Sequence, residues 1–269
     1  MNNRQKTIAY LVMIDDIMDE SLFRRGQPCW HRHADTGRMA INDALLIKSS
    51  VNYIITKHFK GKECYNNIVE TFEQATFKTL MGQFLDISST FKECNLDQFT
   101  MDRYNAIVKC KTEHGAYFLP TLLAMHFAEI KDPEMFKQTE TILLQLGYLY
   151  QVQNDYLDCF GDFEVFGKDD TDIRERKCTW LIVKALRRVT PKQRNILKEC
   201  YGVSDPEKVR RVKQLYIDLD LPNIYLKYEE ETYNDVKAKI LVQDVSCGFS
   251  HGFFLDLLRK TYRRRECPH

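Results

Sequence analysis

Absences set the first bounds on this chain. No apolar run approaches the ~20 residues that a membrane-spanning helix needs, so stable membrane insertion is not expected. The nine cysteines, an odd number, include no C-x-x-C pair. Neither a disulfide framework nor a zinc site is indicated, and a reducing compartment is the natural reading. Charge of one sign is not in excess either: 39 basic residues stand against 38 acidic ones, a net charge of +1 over 269 residues. No global field points to nucleic acid or to an anionic membrane, and any charge-based function must be local. Glycine and proline are scarce, at eleven and seven residues, and there is no low-complexity segment, internal repeat or long linker. The apolar stretch Thr7 to Ile14 is short and closes on Asp15-Asp16 without a small-residue cleavage site, so it is not read as a signal peptide. A cytoplasmic protein is expected, with an organelle leader upstream of the given start left open.

What is present is helical periodicity. Apolar residues recur at three and four over Asp43 to His58, Cys64 to Ser88, Met101 to Phe127 and Glu134 to Phe160, and again over Thr179 to Val189, Pro206 to Leu219 and Leu221 to Val242. Stops fall at Gly61, Asp132-Pro133, Gly161, Gly167, Thr190-Pro191, Asp205-Pro206 and Leu221-Pro222. Strand-like alternation is nowhere sustained. The expectation is a single all-α domain over residues 1–269, a helical bundle with a central cavity.

Chemistry concentrates in DDIMDESLFRRG, which places four acids in six residues and then Arg24-Arg25. If Thr7 to Phe23 is one helix, Asp15 and Asp19 share a face one turn apart, with Asp16 beside them. Carboxylates crowded this way raise one another's pKa unless a cation sits among them. Mg²⁺ suits hard oxygen ligands supplemented by substrate phosphates, and the arginines offer forked donors for phosphate oxygens. Taken alone, the stretch reads more readily as a solvated acidic helix end, with Arg24 and Arg25 in surface pairs. A second cluster moves the balance: Asn154, Asp158 and Asp162 are spaced four apart, with Asp155 adjacent. Two such helices facing each other across a bundle can hold Mg²⁺ around a single diphosphate.

These motifs resemble the farnesyl diphosphate synthase type of trans-isoprenyl diphosphate synthases. The match comprises D-D-I-M-D, R-R-G-Q-P-C-W at Arg24 to Trp30, G-Q-F-L-D at Gly82 to Asp86, Lys111-Thr112 before F-L-P, and G-K-D-D-T-D-I at Gly167 to Ile173. Lys177, Trp180 and the basic tail Arg259 to Arg265 complete it. The resemblance covers about Ile8 to Arg265 and implies the isoprenoid-synthase helical bundle. It implies Mg²⁺, three ions per active site with Mn²⁺ able to substitute, held by Asp15, Asp16 and Asp19 on one side of an allylic diphosphate and by Asn154, Asp155 and Asp158 on the other. Arg24, Lys111, Lys168 and Lys177 match positions that contact diphosphate oxygens, and Arg25 one used for isopentenyl diphosphate. Gln83, Asp86, Thr112 and Gln151 match positions lining the cavity or organising the metals. Tyr10, five before Asp15 and next to Leu11, stands where bulk caps chain length. A homodimer is the family's default, and a prenyl diphosphate its substrate.

Three departures from the family pattern bear on the reaction. Asn154 replaces the aspartate that usually opens the second motif, and Asn154, Asp158 and Asp162 resemble the Asn-led motif of class I terpene synthases. The chain begins after the family's amino-terminal helices, which carry cations for isopentenyl diphosphate; a truncated sequence is the other explanation. Glu113-His114-Gly115-Ala116 replaces aromatic residues after Lys111-Thr112 and reshapes the cavity wall, with His114 more readily a structural histidine than a terminating base. The favoured expectation is therefore an Mg²⁺-dependent terpene synthase, a carbon–oxygen lyase of the kind derived from this family in some insects, acting on farnesyl or geranyl diphosphate. The alternative is the farnesyl or geranyl diphosphate synthase reaction itself, a prenyl transfer. An intact Asp15, Asp16 and Asp19 argues against a non-catalytic partner subunit.

Overall fold

The computed structural model describes residues 8–91, 95–167, 171–242 and 251–262. Among them the chain is nearly all helical, as the periodicity requires. The long helices are α1 (Ala9–Met18), α2 (Met39–Phe59), α3 (Tyr65–Ser88), α4 (Met101–Val108), α5 (Leu119–Phe127) and α6 (Pro133–Phe160). After a single turn, α7 (Phe163–Phe166), come α8 (Trp180–Leu186), α9 (Pro191–Cys200), α10 (Pro206–Asp218), α11 (Leu221–Val242) and α12 (His251–Thr261). Start signals recur locally. Asp132, Thr190 and Asp205 each cap a helix whose first residue is proline, and Thr190 with Gln193 forms a reciprocal capping box. None of the helices described is long and apolar enough to cross a membrane.

Of the four packed apolar groups among the described residues, three are the larger ones. Tyr104, Trp180, Tyr216 and Tyr225 anchor the largest, between α4, α6 and α8 to α11. Tyr10, Phe72 and Leu119 join α1, α3 and α5 in the second. In the third, Phe254 and Leu258 pin α12 onto α6 and α11, each fully buried side chain contributing about 1.5–3 kcal/mol by leaving water.

The first helix is shorter than expected. It stops at Met18, not Phe23, and Glu20 adopts φ +47°. The chain then reverses through a two-residue hairpin in which β1 (Phe23–Arg24) pairs with β2 (Gln27–Pro28). The hairpin's central residues, Arg25 and Gly26, have φ +57° and +72°. Positive φ at both central positions is what a tight turn of this hand demands, and glycine meets it without strain. Arg32 donates to the carbonyls of Glu20 and Ser21, at 2.5 and 3.3 Å, and so satisfies backbone acceptors beyond the helix end.

Between α4 and α5 the helix widens into a π-helical segment, Lys109–Phe118, without breaking the run from Met101 to Phe127. Long π segments are rare and gather at functional sites. This one is wedged between α3 and α6, where both neighbours supply glycine. A Cβ on Gly82 would lie 2.1 Å from the Lys111 backbone nitrogen, and one on Gly147 2.7 Å from Glu113 Cα. The missing side chains let three backbones come together, and that approach sets Lys111 and Thr112 at the central space.

Candidate active site

The central space is a cavity of about 710 Å³, of the size that takes a small ligand. Its polar end is built from α1, the hairpin, α3, the π segment, α6 and the stretch leading to α8. Asp15 and Asp19 line it from one side, Gln151, Asn154 and Asp158 from the other. Asp19 follows α1 directly, its N–H bonded to the Asp15 carbonyl at 2.8 Å, so the one-turn relation survives the early helix end.

Two lysines tie the first motif together. Lys111 Nζ stands 2.9 Å from Asp15 Oδ1 and 2.6 Å from Asp86 Oδ2. Lys177 Nζ stands 2.6 Å from Asp19 Oδ1 and 3.0 Å from the same Asp86 oxygen. Burial pushes the Asp15 carboxyl up, but the charges of Lys111, Arg24 and Lys177 outweigh it and hold it well below the usual carboxylate range. Asp86 is likewise lowered: burial opposes, and Lys111 and Lys177 prevail. Asp19 is raised, first by burial and then by the Asp15 charge. Both lysines are raised against their burial, Lys111 chiefly by Asp15 and Lys177 chiefly by Asp86.

Asp16 takes a different direction. It is buried, does not line the cavity, and accepts Nε of Arg24 at 2.9 Å and Arg24 Nη2 as well. The same guanidinium reaches Asp15 Oδ2 at 3.5 Å. Hairpin closure thus brings Arg24 back onto the helix it follows. Arg25, on the turn itself, lines the cavity mouth, and the Gly26 N–H donates to the Gly167 carbonyl at 2.9 Å, joining the hairpin to the segment after α6.

On the far wall the oxygens of α6 are tied into the fold. Asp155 accepts the Trp180 N–H and the Gln151 side-chain amide, each at 2.8 Å, and burial pushes its carboxyl up to about 7. Asp158 accepts the backbone N–H groups of Thr171 and Asp172 at 3.2 and 3.0 Å. Thr112 donates to Gln151 at 2.5 Å, linking the π segment to α6. His114 is held by a contact with the Lys109 carbonyl at 2.7 Å and by Lys78 Nζ at 3.2 Å, and burial lowers its pKa. That environment is structural.

Of the residues singled out from sequence, the structure brings Asp15, Asp19, Arg24, Arg25, Gln83 and Asp86 to one cavity. Lys111, Thr112, Gln151, Asn154, Asp155, Asp158 and Lys177 join them there. Lys168 and Arg263 to Arg265 lie outside the described residues. Tyr10 does not line the cavity; it is buried in the core behind α1, and its hydroxyl lies 2.7 Å from Thr76 Oγ1. At 100° per residue, five positions turn a side chain 140° away from Asp15, whereas Leu11 and Val12 stay on its face. Leu11, Val12, Leu80 and Ile107 form the apolar wall, and i−3 and i−4 spacing from Asp15 and Gln83 was the signal for three of them.

Mg²⁺ suits these donors. Asp15 Oδ1 is buried at the cavity wall, and its partner there is the Lys111 ammonium at 2.9 Å, a cation whose place beside this hard oxygen a dication can take. Among the described residues no three acidic, histidine or cysteine side chains stand close enough to hold an ion unaided.

A model of the polyprenyl synthetase family matches residues 7–219. The chain belongs to that family. It is 47% identical over 258 residues to a farnesyl pyrophosphate synthase of Murgantia histrionica, covering 96% of this chain and 63% of that one. It is 43% identical to the enzyme of the same name from Rattus norvegicus, covering 96% of this chain and 73% of the relative. The T. brucei farnesyl diphosphate synthase, solved with a bisphosphonate, superposes with a TM-score of 0.90 at 34% identity, over 97% of this chain and 77% of that one. The terpene synthase and lyase expectation is overturned by these likenesses, since the relatives are named as prenyl diphosphate synthases throughout. Nothing here marks a derived insect terpene synthase. That expectation leaned on one side chain, Asn154, and on where the sequence starts. Because the chain spans 63% of the length of its Murgantia relative, its start carries no information about the reaction.

Proposed function

We propose that the chain carries the catalytic site of a farnesyl diphosphate synthase, which joins isopentenyl diphosphate to an allylic diphosphate with release of diphosphate. The observation that carries the reading is one cavity lined by Asp15 and Asp19 from the first motif, by Asn154 and Asp158 from α6, and by Lys111 and Lys177, which pair with the first motif. The names of the family relatives support it. In this reading Asp15, Asp19, Asn154 and Asp158 hold Mg²⁺, expected as three ions per site, and the ions when bound supply Lewis acidity at the leaving diphosphate. Lys111, Lys177 and Arg24 absorb the charge that develops as the allylic carbon–oxygen bond breaks. Arg25 at the mouth contacts the second diphosphate. The apolar wall of Leu11, Val12 and Leu80 excludes water while the double bond of isopentenyl diphosphate captures the allylic carbon and a proton departs.

The test is direct. Purified protein with Mg²⁺, geranyl diphosphate and labelled isopentenyl diphosphate is expected to yield labelled farnesyl diphosphate, and Asp15→Asn to abolish it. Failure to extend any allylic diphosphate in the presence of isopentenyl diphosphate refutes the reading.

A homodimer and a cytoplasmic location belong to the same proposal. Met39, Leu46 and Tyr53 recur every seven residues along α2, and Phe77, Met81 and Phe84 form a matching exposed stripe on α3, with Tyr53 and Phe77 about two-thirds exposed. An apolar face of this kind marks an interface. Light scattering during size-exclusion chromatography is expected to give twice the chain mass, and Phe77→Glu with Phe84→Glu to halve it. A wild-type monomer refutes the dimer. The location rests on nine cysteines without a C-x-x-C pair.

A further inference from the structure

We propose that Asp86 is a positioning residue: its carboxylate is the fixed counter-ion that holds Lys111 and Lys177 side by side for a diphosphate, and it is not itself a metal ligand. The inference rests on the reading of this cavity as a diphosphate site. One oxygen, Asp86 Oδ2, takes both ammonium groups, Lys111 at 2.6 Å and Lys177 at 3.0 Å. The three residues come from separate parts of the fold: α3, the π segment and the stretch before α8. Each lysine also faces one carboxylate of the first motif, Lys111 with Asp15 and Lys177 with Asp19. The five side chains form a chain of alternating charge, Asp15, Lys111, Asp86, Lys177, Asp19.

Its ends and its centre have different fates when the site fills. Asp15 and Asp19 present oxygens suited to a dication, and an ion bound there draws them from the lysines. Asp86 stays. Each ammonium then keeps one carboxylate partner and has N–H donors released, since an ammonium carries three. Those donors would then be available to a diphosphate bound at the polar end of the cavity. Asp86 cannot serve the metal at the same time. A dication on a carboxylate already shared by two ammonium groups would gather four positive charges on a single negative one. Remove Asp86, and two neighbouring like charges lose the counter-ion they share, one of them on Lys177, which is 3% exposed, each keeping only the partners on its own side, Asp15 for Lys111 and Asp19 and Glu175 for Lys177. They separate, and the paired donors are lost.

The experiment uses the full chain and four variants, Asp86→Asn, Asp86→Glu, Lys177→Met, and Asp86→Asn combined with Lys177→Met. Calorimetry reads the affinity for inorganic pyrophosphate in excess Mg²⁺, and electron paramagnetic resonance counts Mn²⁺ bound at saturating pyrophosphate. Asp86→Asn is expected to weaken pyrophosphate about tenfold or more, the order lost with a charge-assisted contact, and to leave the Mn²⁺ count unchanged. Asp86→Glu is expected to recover most of the affinity because the charge is kept. The melting temperature separates this role from packing. Adding Lys177→Met to Asp86→Asn removes one of the two repelling ammonium groups while leaving Asp19 without its partner, so the drop in melting temperature of the double variant is expected to be smaller than the sum of the drops in the two single variants. Wild-type pyrophosphate affinity in Asp86→Asn, loss of a bound Mn²⁺, or additive destabilisation in the double variant would each overturn the proposal. A wild-type protein that binds no pyrophosphate overturns the diphosphate reading and this inference together, whereas failure confined to the Asp86 variants leaves that reading standing.

Discussion

Replacing Gly82 by alanine adds one methyl group at the point where α3 meets the π segment. The new Cβ would lie 2.1 Å from the Lys111 nitrogen, 2.5 Å from its Cα and 2.6 Å from the Cys110 carbonyl carbon, where ordinary contact begins at 3.4 Å. The shortfall is about 1.3 Å, and every atom it meets is backbone, so no side chain can swing aside. α3 and the π segment must part by about that much. Overpacking of this severity costs about 3 kcal/mol, which in a chain of this size lowers the melting temperature by roughly 6–12 °C. The functional loss follows from the same displacement, since Lys111 leaves Asp86 and Asp15 when its backbone moves. A shift of about 1 Å at a positioned group costs roughly a hundredfold in rate. Gly115→Ala is the control on the same segment. Its Cβ would stand 3.4 Å from Thr79 Oγ1, and alanine favours helix over glycine by up to about 1 kcal/mol, so stability should hold or rise slightly. Thermal melts and kcat/KM for prenyl transfer read both effects. A Gly82→Ala enzyme with kcat/KM within about threefold of wild type would refute the reasoning, because it would show that Lys111 does not depend on this contact.

Three further outcomes are expected. Asp16→Asn frees Arg24 from a charge-assisted pair worth about 1.5–3 kcal/mol, so pyrophosphate affinity should fall by roughly ten- to a hundredfold with the Mg²⁺ activation curve in place; a curve shifted to higher Mg²⁺ at unchanged pyrophosphate affinity would make Asp16 a metal ligand instead. Glu113 is buried on the π segment where it meets α6, and burial pushes its carboxyl up to about 7 from 4.5, with Lys109 opposing. The native state therefore holds a proton that the unfolded state releases, and stability present below pH 4.5 is lost as pH rises toward 7. After discounting for partial solvent access, the loss is about 1–2 kcal/mol. Urea unfolding at pH 5 and pH 8 should show that difference shrinking in Glu113→Gln, and an unaltered difference sinks the idea. Thr190→Ala removes the capping box of α9 and should cost about 1 kcal/mol without touching kcat/KM; loss of activity would show that α9 reaches the site.

Periodicity revealed most of the helical frame because these helices each bury one face. Asp43 to His58, Cys64 to Ser88 and Leu221 to Val242 fall within a few residues of α2, α3 and α11. What escaped notice had signals of another kind. α9 is short and mostly polar, so no apolar stripe marks it, yet Thr190-Pro191 with Gln193 spelled its cap. α12 was read as a basic tail because Arg259 and Lys260 draw the eye, while Phe254 and Leu258 four residues apart carried the burying face. The hairpin was hidden by an Arg25 that must take positive φ, a conformation that sequence pattern does not favour outside glycine and asparagine. In the π segment the widened turn changes which residues share a face, so an α-helical count could not tell that Lys111 meets Gly82 and Asp86.

The reaction was less legible than the site for a chemical reason. Departure of diphosphate from an allylic carbon needs oxygens for Mg²⁺ on two walls and ammonium groups between them, whatever later captures the carbon. In the proposed reading Asp15, Asp19, Asn154, Asp158, Lys111 and Lys177 meet that need, and they would meet it for a cyclising enzyme and for a condensing one alike. Reading the reaction from Asn154 asked a shared half of the chemistry to report on the half that differs. The discriminating contacts are those to the second diphosphate, and of the described residues Arg25 alone was assigned there, on a turn at the mouth rather than within either acidic wall. A single exposed arginine carries little information by itself. Likeness along the matched chain weighs against the cyclising reading because it sums many cavity and packing positions, each too weak to be read alone, while the acidic motifs bear only on the step both reactions share.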